Sequence, residues 1–392
     1  MKNFTYFTPT KVVFGKDTEL QTGALIREQG ASKVLIHYGG GSAVRSGLIG
    51  RIRESLEKEG IPYVELGGVK PNPRVSLVRE GAALCKAEGV DFILAVGGGS
   101  VIDSAKGIGY SVANDCDIWE IHSGKRKATG CLPLGAVLTI AAAGSEMSQS
   151  CVLTNEDGWI KRGYSSNYSR CRFAVLNPEL TYTLPKYQTA SGCVDIMMHI
   201  MERYFTPEPD TMLTDGMSES ILKTVMYYAR ILMKEPENYE ARAAVMWAGS
   251  LAHNGLLSCG VKEDWASHQL EHELSGLFDV AHGAGLSAVW GTQARYVLDS
   301  KPERFAQFAV NVMGIPADYS NPKATALAGI EALERFFTEL EMPVSIRQLG
   351  VEPTEEQIQE MALKCSRNNS RTVGTIRPLD REDMAAIYRL AL

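Results

Sequence analysis

The sequence lacks several features that mark particular classes of protein. No block of Lys and Arg forms a basic patch, and the formal net charge is −6, so nucleic acid is not expected as a partner. No apolar run approaches the roughly 20 residues that a helix needs to cross a bilayer. The N-terminal stretch MKNFTYFTPTKVVFG lacks the charged and then apolar layout of a signal peptide. We therefore expect a cytoplasmic globular protein that binds neither nucleic acid nor membrane.

Cysteine pairs with CxxC spacing are also missing, although the chain contains eight cysteines. Scattered thiols in a large chain without an export signal indicate reduced, mostly buried cysteines rather than a disulfide framework or a thiolate metal site. Internal repeats and low-complexity segments are absent too. The 392 residues, of which 45% are hydrophobic and 22% charged, suffice for two or three domains with a sizeable core.

Two kinds of pattern divide the chain. The first half alternates short β-branched runs, such as KVLIHYGGGS and DFILAVGGGS, with helix-like segments, such as SGLIGRIRESLEKEG. This alternation predicts a parallel sheet with helices on both faces, a doubly wound α/β domain. Long helical patterns such as TDGMSESILKTVMYYARILMK dominate the second half. We predict an α/β domain over residues 1–187 and an all-α domain over residues 188–392.

A candidate metal site begins with Asp195 and His199. Side chains four residues apart project from one face of a helix, so both can point at a single cation. Three more imidazoles follow, on His268, His272 and His282. Carboxylate and imidazole suit zinc, ferrous iron and similar divalent metals. An Asp and a His at this spacing also occur by chance on solvated helix faces, so the spacing alone leaves both interpretations open.

Two glycine runs each follow an apolar strand. Glycines let a backbone approach a phosphate, and the N–H groups at a helix N-terminus bind its charge. Neither run is a Walker motif or a GxGxxG fingerprint, and a tight strand-to-helix turn without a ligand explains each equally well. Loops at the carboxyl ends of parallel strands bind ligands, so two of them suggest a dinucleotide. The candidate residues are Gly39, Gly40, Gly41, Ser42, Gly97, Gly98, Gly99 and Ser100.

Several motifs in order resemble a known family. They are GGGSVIDSAKGIG, AAAGSEMS, LNPELTYTLP, the Asp195-to-His199 spacing, HQLEHELSG and HGAGL. Together they are similar to those of the iron-containing, or group III, alcohol dehydrogenases, with the closest likeness to the branch of NADPH-dependent butanol dehydrogenases and aldehyde reductases. The resemblance covers nearly the whole chain. It implies a Rossmann-like N-terminal domain, a helical C-terminal domain, the fold shared with dehydroquinate synthases, and one divalent metal, Fe²⁺ or Zn²⁺.

The resemblance also implies roles for the acid and the imidazoles. The metal ligands would be Asp195, His199, His268 and His282. His272 would lie near the nicotinamide and the substrate, as a proton donor, although a packing histidine is the alternative. Spacing alone cannot separate these roles, because His268 and His272 share a helix face.

The coenzyme implied by the resemblance is NADP(H) in preference to NAD(H). Family members that prefer NAD carry an acid at the end of the second strand, whereas this chain has glycines and Ser42 there. Without a carboxylate, nothing at that place would repel a 2′-phosphate.

Further family positions fall in the first half. Asp103 would lie near cofactor and substrate as a catalytic residue, and Lys106 would support its loop. Thr139 would contact the cofactor, but residues 141–143 are alanines where the family usually has threonines, which implies a missing hydroxyl contact. Lys161 would reach the cofactor, and an exposed surface lysine is the alternative. His122 and His253, which lie outside the family's ligand set, are interpreted as structural.

The activity implied is reduction of a small aldehyde, or oxidation of a primary alcohol, with butanol and butyraldehyde as examples. Alternatives are an NAD-linked dehydrogenase for diols, glycerol or hydroxy acids, an elimination like that of dehydroquinate synthases, or a non-catalytic metal-binding or filament-forming protein. The resemblance further implies a homodimer, in which the segment TYFTPTKVVFG pairs at a sheet edge with its counterpart.

Overall fold

Two compact units make up the computed structural model, which describes residues 1–392. The α/β unit comprises Phe7–Leu184, and the helical unit comprises Met1–Tyr6 with Pro185–Leu392. The first residues therefore group with the helices, whereas the pattern analysis placed them in the first domain. A backbone hydrogen bond of 3.0 Å from the Lys2 N–H to the Gly260 carbonyl holds them there.

The α/β unit contains a six-stranded parallel sheet in the order β1-β8-β5-β4-β2-β3 and a separate antiparallel hairpin, β6-β7. The expected parallel sheet is confirmed, but the hairpin was not expected. The strands are β1 (Lys11–Phe14), β2 (Val34–Gly39), β3 (Tyr63–Val69), β4 (Phe92–Gly97), β5 (Leu134–Leu138), β6 (Ser150–Asn155), β7 (Ile160–Ser165) and β8 (Phe173–Leu176). The helices are α1 (Thr22–Glu28), α2 (Ser42–Arg45), α3 (Leu48–Lys58), α4 (Val75–Glu88), α5 (Gly99–Asn114) and α6 (Ile118–His122).

The central strands explain the stability of the sheet. Every residue of β4, FILAVG, and of β5, LGAVL, is buried, as expected for parallel strands covered on both faces. Ile36, Leu94 and Val137 belong to one buried cluster that spans β2, β4 and β5. Because these three strands are adjacent and parallel, their carboxyl ends lie side by side.

The helical unit contains nine α-helices and no strand, as expected from the long helical patterns. Helix α7 packs against α8, α9 and α11, and α10 packs against α11 and α14. The helices are α7 (Lys186–Tyr204), α8 (Met212–Leu232), α9 (Tyr239–His253), α10 (Ala266–Phe278), α11 (His282–Val297), α12 (Pro302–Asn311), α13 (Pro322–Glu339), α14 (Glu355–Cys365) and α15 (Arg381–Leu390).

Two expectations about composition can be compared with the structure. All eight cysteines are free, and five of them are buried, as their scattered positions indicated. None of the helices combines the length and the apolar character needed to cross a bilayer.

Candidate metal and cofactor site

Asp195 and His199 lie one turn apart in the middle of α7, and both are buried. The His199 Nδ1 atom lies 2.9 Å from the carbonyl oxygen of Asp195 and 3.1 Å from its Oδ1 atom. The carbonyl can only accept, so Nδ1 carries the hydrogen and Nε2 keeps its lone pair. Burial lowers the pKa of His199 to about 4, which keeps the imidazole neutral. A neutral imidazole is the form that binds a metal.

His268 and His282 approach Asp195 from two other helices. Nε2 of His268, on α10, lies 3.7 Å from Oδ1 of Asp195. Nε2 of His282, the first residue of α11, lies 3.8 Å from the same oxygen. The ligand atoms of these three residues all fall within 4.8 Å of one another. The structure thus brings three of the four expected metal ligands together around one carboxylate oxygen.

These residues fit a divalent cation. Oδ1 of Asp195 and Nε2 of His268 are buried and have no hydrogen-bond partner, although buried polar atoms normally have one. A carboxylate and imidazoles are donors suited to zinc or ferrous iron. An ion between them would satisfy both atoms at once.

Charge in this group is arranged around the same point. Burial would raise the pKa of Asp195, but His199 and His282 outweigh it and hold this pKa well below its usual range. Burial would lower the pKa of His268, but the neighbouring carboxylates of Asp195 and Glu202 raise it to about 9. Without an ion, therefore, positive charge is favoured beside the Asp195 carboxylate, where a metal would otherwise supply it.

The fourth expected ligand, His199, lies beside this group. Its ring centroid is 4.6 Å from that of His268 and 4.2 Å from that of His253. The three-residue cluster does not include it, so its role as a ligand stays a prediction. His253, interpreted as structural from the sequence, lies beside the candidate site, with its ring tilted by 36° to that of His199.

His272 belongs to a second cluster, with Glu271 and His282, whose ligand atoms also lie within 4.8 Å of one another. Its ring centroid is 5.7 Å from that of His282. It therefore lies beside the metal group. The division between ligand and proton donor among His268 and His272 stays a prediction.

Two glutamates of this site are absent from the sequence-based ligand set. Nδ1 of His268 lies 3.0 Å from Oε1 of Glu202, and Nδ1 of His282 bonds to Oε2 of Glu271. A signal for each exists in the sequence. Glu202 follows Asp195 by seven positions and Glu271 follows His268 by three, and both spacings place side chains on a shared helix face.

In the α/β unit, the two glycine runs end adjacent strands. β2 ends at Gly39 and α2 begins at Ser42, while β4 ends at Gly97 and α5 begins at Gly99. The adjacent strand, β5, is followed by Thr139, whose N–H donates to the Gly97 carbonyl at 3.1 Å. The expected cofactor loops therefore lie together at one edge of the sheet, the edge where α/β proteins bind ligands.

The second glycine run also has a packing role. A Cβ atom at Gly98 would lie 2.1 Å from Cγ2 of Ile140, and one at Gly99 would lie 2.8 Å from Cβ of Ala143. Contacts this short cannot form, so the side chains of Ile140 and Ala143 leave room only for glycine at positions 98 and 99. The first run differs, because a Cβ at Gly40 would meet nothing within 4 Å.

Asp103 and Lys106 connect α5 to the segment after β5. The Asp103 carboxylate accepts hydrogen bonds from the Ser145 hydroxyl at 2.5 Å and from the Val152 N–H at 2.9 Å. The fully buried Lys106 ammonium donates to the carbonyls of Ser145 and Ser150 at 2.8 and 2.7 Å. Lys106 therefore holds the segment after β5 rather than the glycine loop after β4 for which it was expected. Asp103 contacts the same segment through Ser145 and Val152.

Lys161, on β7, is only 4% exposed, and its ammonium donates to Oδ1 of Asn72 at 3.0 Å. The interpretation of Lys161 as an exposed surface lysine is therefore wrong. His122 is also buried, with its ring nitrogens near the carbonyls of Ile118 and Cys151, which agrees with a structural role.

Comparisons with known proteins find relatives over the whole chain. The chain is 40% identical over 390 residues to NADH-dependent butanol dehydrogenase A of Clostridium acetobutylicum, covering 99% of each protein. It is 36% identical over 359 residues to an NADPH-dependent aldehyde reductase of Escherichia coli, covering 90% of each. The crystal structure of NADH-dependent butanol dehydrogenase A from Thermotoga maritima matches with a TM-score of 0.95 and 38% identity, over 100% of this chain and 99% of that one.

Family models match both parts of the chain. The iron-containing alcohol dehydrogenase model matches residues 9–178, and the model of the family's C-terminal domain matches residues 189–392. The two matches cover the strands with the glycine loops and the helices with the metal group. The family expected from the motifs is confirmed: the chain belongs to the iron-containing alcohol dehydrogenases.

Proposed function

We propose that this enzyme transfers hydride between a nicotinamide and a small primary alcohol or aldehyde, at a divalent metal held by Asp195, His199, His268 and His282. The observation that carries the proposal is the approach of Nε2 of His268 and of His282 to Oδ1 of Asp195, at 3.7 and 3.8 Å. The relatives support the substrate class, since they are named butanol dehydrogenase and aldehyde reductase.

The metal and the nicotinamide would supply part of the chemistry, and side chains of the protein would supply the rest. When bound, the metal supplies a Lewis acid for the carbonyl oxygen, and the nicotinamide gives or takes the hydride. Asp195 and three neutral imidazoles leave a divalent site with net positive charge, which stabilises negative charge on a substrate oxygen. His272 would exchange the proton of that oxygen through a ring nitrogen, because imidazole titrates near neutral pH. Direct transfer between carbons needs positioning but no covalent nucleophile.

We propose NADP(H) as the preferred coenzyme. The named relatives include both NADH-dependent and NADPH-dependent enzymes, so similarity does not decide the preference. Residues 39–45, which follow β2 without any carboxylate, support NADP(H). The exposed Arg45 adds a positive charge there, with Nη1 only 3.0 Å from the position of a Cβ at Gly41. A nearby arginine is a common partner of the 2′-phosphate.

The deciding experiment uses protein stripped by a chelator and reloaded with Zn²⁺ or, without oxygen, with Fe²⁺. We expect reloading to restore NADPH oxidation with butyraldehyde and Asp195→Asn to stay inactive under either metal. Asp264→Asn is the matched control, since Asp264 is equally buried and its Oδ1 accepts from the N–H of Ile376 at 2.9 Å, a bond that asparagine can keep. Faster turnover of glycerol, a diol or a hydroxy acid would contradict the substrate class. Turnover without change in nicotinamide absorbance would indicate an elimination.

We also propose that the protein is a homodimer. β1 lies at the end of the sheet order and pairs only with β8, and an edge strand of this kind can pair with a strand of a second chain. A symmetric pair of β1 edges uses the same surface on both chains and so closes as a dimer, with β3 left as the outer strand of each sheet. Light scattering should give twice the mass of 42.8 kDa at micromolar concentration, and a monomeric mass would overturn the proposal.

A further inference from the structure

Two buried carboxylates contact the Nδ1 atoms of two imidazoles of the metal group. Glu202 is 4% exposed and Glu271 is fully buried. Glu202 contacts Nδ1 of His268, and Glu271 contacts Nδ1 of His282, in each case on the side of the ring away from Asp195. A ring that donates its Nδ1 hydrogen to a carboxylate has its Nε2 lone pair directed the other way.

Each glutamate belongs to a different helix from the histidine that it contacts. Glu202 lies on α7 and His268 on α10, whereas Glu271 lies on α10 and His282 on α11. The two contacts therefore link α7 to α10 and α10 to α11. These three helices carry all the expected metal ligands, so the contacts fix the ligands relative to one another as well as turning their rings.

Glu202 also holds the beginning of α10. Its Oε1 accepts the backbone N–H of His268 at 3.0 Å, and its own carbonyl accepts the N–H of Asp264 at 2.7 Å. The residue before α10, Trp265, gives no side-chain cap and has φ 63°. The Glu202 carboxylate thus satisfies a donor that a helix N-terminus leaves open, and it sets the position of His268 along the helix axis.

Room for Glu271 depends on a glycine of α11. A Cβ atom at Gly285 would lie 2.8 Å from Oε1 of Glu271. A side chain at that position would displace the carboxylate toward or away from His282. The sequence HGAGL therefore contains the expected ligand His282 and also Gly285, the small residue that leaves room for the Glu271 carboxylate beside His282.

We propose that Glu202 and Glu271 are positioning residues that direct Nε2 of His268 and of His282 at the metal and thereby raise the affinity of the site. The inference rests on the metal site of the proposed function. Partners of this kind typically contribute about 10- to 100-fold in metal affinity. Their proposed effect acts through the histidines, because Glu202 contacts Nδ1 of His268 and Glu271 contacts Nδ1 of His282.

The test measures metal affinity directly, by competition of Zn²⁺ with a chromogenic chelator, on the whole protein. We expect Glu202→Gln and Glu271→Gln each to bind Zn²⁺ about 10- to 100-fold more weakly than the unchanged protein. Glutamine keeps the shape and an acceptor oxygen but loses the charge. The Co²⁺-loaded variants should also show shifted visible absorption, which reports ligand geometry and does not respond to stability alone.

Glu19→Gln separates positioning from simple loss of a buried charge, and should leave both the Zn²⁺ affinity and the Co²⁺ spectrum unchanged. Glu19 is only 2% exposed but belongs to the α/β unit, where its Oε2 accepts from Nδ2 of Asn177 at 2.9 Å. Equal loss of affinity in this control and in the Glu202 and Glu271 variants would overturn the proposal. So would unchanged affinity and spectrum in both of those variants. Where a glutamine variant does not fold, the aspartate variant replaces it, because aspartate keeps the charge but withdraws the oxygen by one methylene, and weakened binding is again expected.

Asp195→Asn distinguishes failure of this inference from failure of the proposed function. If the unchanged protein binds Zn²⁺ and Asp195→Asn does not, the metal site stands and the glutamate variants alone decide the positioning role. If the unchanged protein does not bind Zn²⁺ or Co²⁺, or if Asp195→Asn binds them equally well, the metal site fails and the positioning role fails with it.

Discussion

Single residues of the metal group show how burial and charge oppose each other. A carboxylate as buried as Asp195 would ordinarily gain a proton, yet the neighbouring imidazoles keep its pKa well below the usual range. His268 responds in the opposite direction, with a pKa of about 9. The pKa values of Asp195 and His268 thus move in opposite directions, because each group lies beside charges that favour its own ionised form.

Arg45 is the residue on which the coenzyme preference should depend. We expect Arg45→Ala to lower kcat/KM for NADPH by about tenfold or more, because a hydrogen bond to a charged group contributes about 1.5–3 kcal/mol and 1.4 kcal/mol is tenfold. The value for NADH should change little, since NADH has no 2′-phosphate. Steady-state kinetics with each coenzyme give the ratio of kcat/KM for NADPH to kcat/KM for NADH.

Lys58→Ala, at the end of α3, is the matched control for Arg45→Ala, because it removes one positive charge from another helix of the same unit. An equal loss for NADPH and NADH in Arg45→Ala would show that Arg45 does not read the 2′-phosphate. If Lys58→Ala lowers kcat/KM for NADPH as much as Arg45→Ala does, the loss reflects net charge rather than a contact with the 2′-phosphate.

At the scale of elements, glycines of α11 set how closely this helix approaches its neighbours. A Cβ atom at Gly283 would lie 2.0 Å from the Ser191 carbonyl oxygen of α7, and backbone cannot yield as a side chain can. We expect Gly283→Ala to destabilise the protein by about 1–3 kcal/mol, the usual range for overpacking. Gly285→Ala should cost less stability but weaken Zn²⁺ binding through Glu271. Chemical denaturation and chelator competition measure the two effects.

Gly216→Ala provides the control within a helix, because a Cβ at this exposed position of α8 would meet nothing within 4 Å. It should stabilise the protein by about 0.5–1 kcal/mol, the ordinary effect of replacing glycine in a helix. A similar gain in Gly283→Ala would mean that α11 can move away from α7 without loss.

β2 carries a titratable group that should make stability depend on pH. Nδ1 of His37 donates to the Leu66 carbonyl at 2.8 Å, and Nε2 accepts from the Ser104 hydroxyl at 2.8 Å. Burial lowers the pKa of His37 to about 4, against about 6.5 in an unfolded chain. Between these values the unfolded chain binds a proton that the folded chain does not, so stability falls as pH falls from about 6.5 toward 4.

The expected loss from His37 approaches about 3 kcal/mol at pH 4, at 1.36 kcal/mol for each unit of pKa. Denaturant unfolding at several pH values measures how steeply the free energy of unfolding changes with pH, and His37→Gln should reduce this slope. His122, whose pKa burial also lowers to about 4, leaves part of the slope in that variant. A slope identical in His37→Gln and in the unchanged protein would contradict the assignment.

For the whole molecule, local patterns predicted the parallel sheet and the helical half, because apolar runs and glycine turns act on neighbouring residues. The family was predicted from the resemblance of several motifs in order. The β6-β7 hairpin was not predicted, since Lys161, Arg162 and Gly163 interrupt the β-branched pattern of β7. The grouping of the first six residues with the helices depends on a hydrogen bond to Gly260, which no local pattern reveals. Contacts between residues far apart in sequence can be identified only from the folded structure.

The candidate site shows the same limit. The spacing of Asp195 and His199 indicated a shared helix face, and the motifs indicated the other ligands. The contacts of Glu202 with His268 and of Glu271 with His282 cross between helices, so they depend on how α7, α10 and α11 pack. Spacing can place two residues on one face of a helix, but it cannot say which neighbouring helix that face meets.

Metal binding should therefore stabilise these three helices in particular. An ion that binds only the folded state adds about 4.1 kcal/mol at a free concentration of 1,000 Kd. Hydrogen exchange should slow in α7, α10 and α11 when Zn²⁺ is added, because the ion and the two glutamate contacts join them. β4, in the other compact unit, should exchange at an unchanged rate. The same slowing in Asp195→Asn would show that Zn²⁺ acts elsewhere, and equal slowing of β4 would show that its effect is not confined to the helices that carry the ligands.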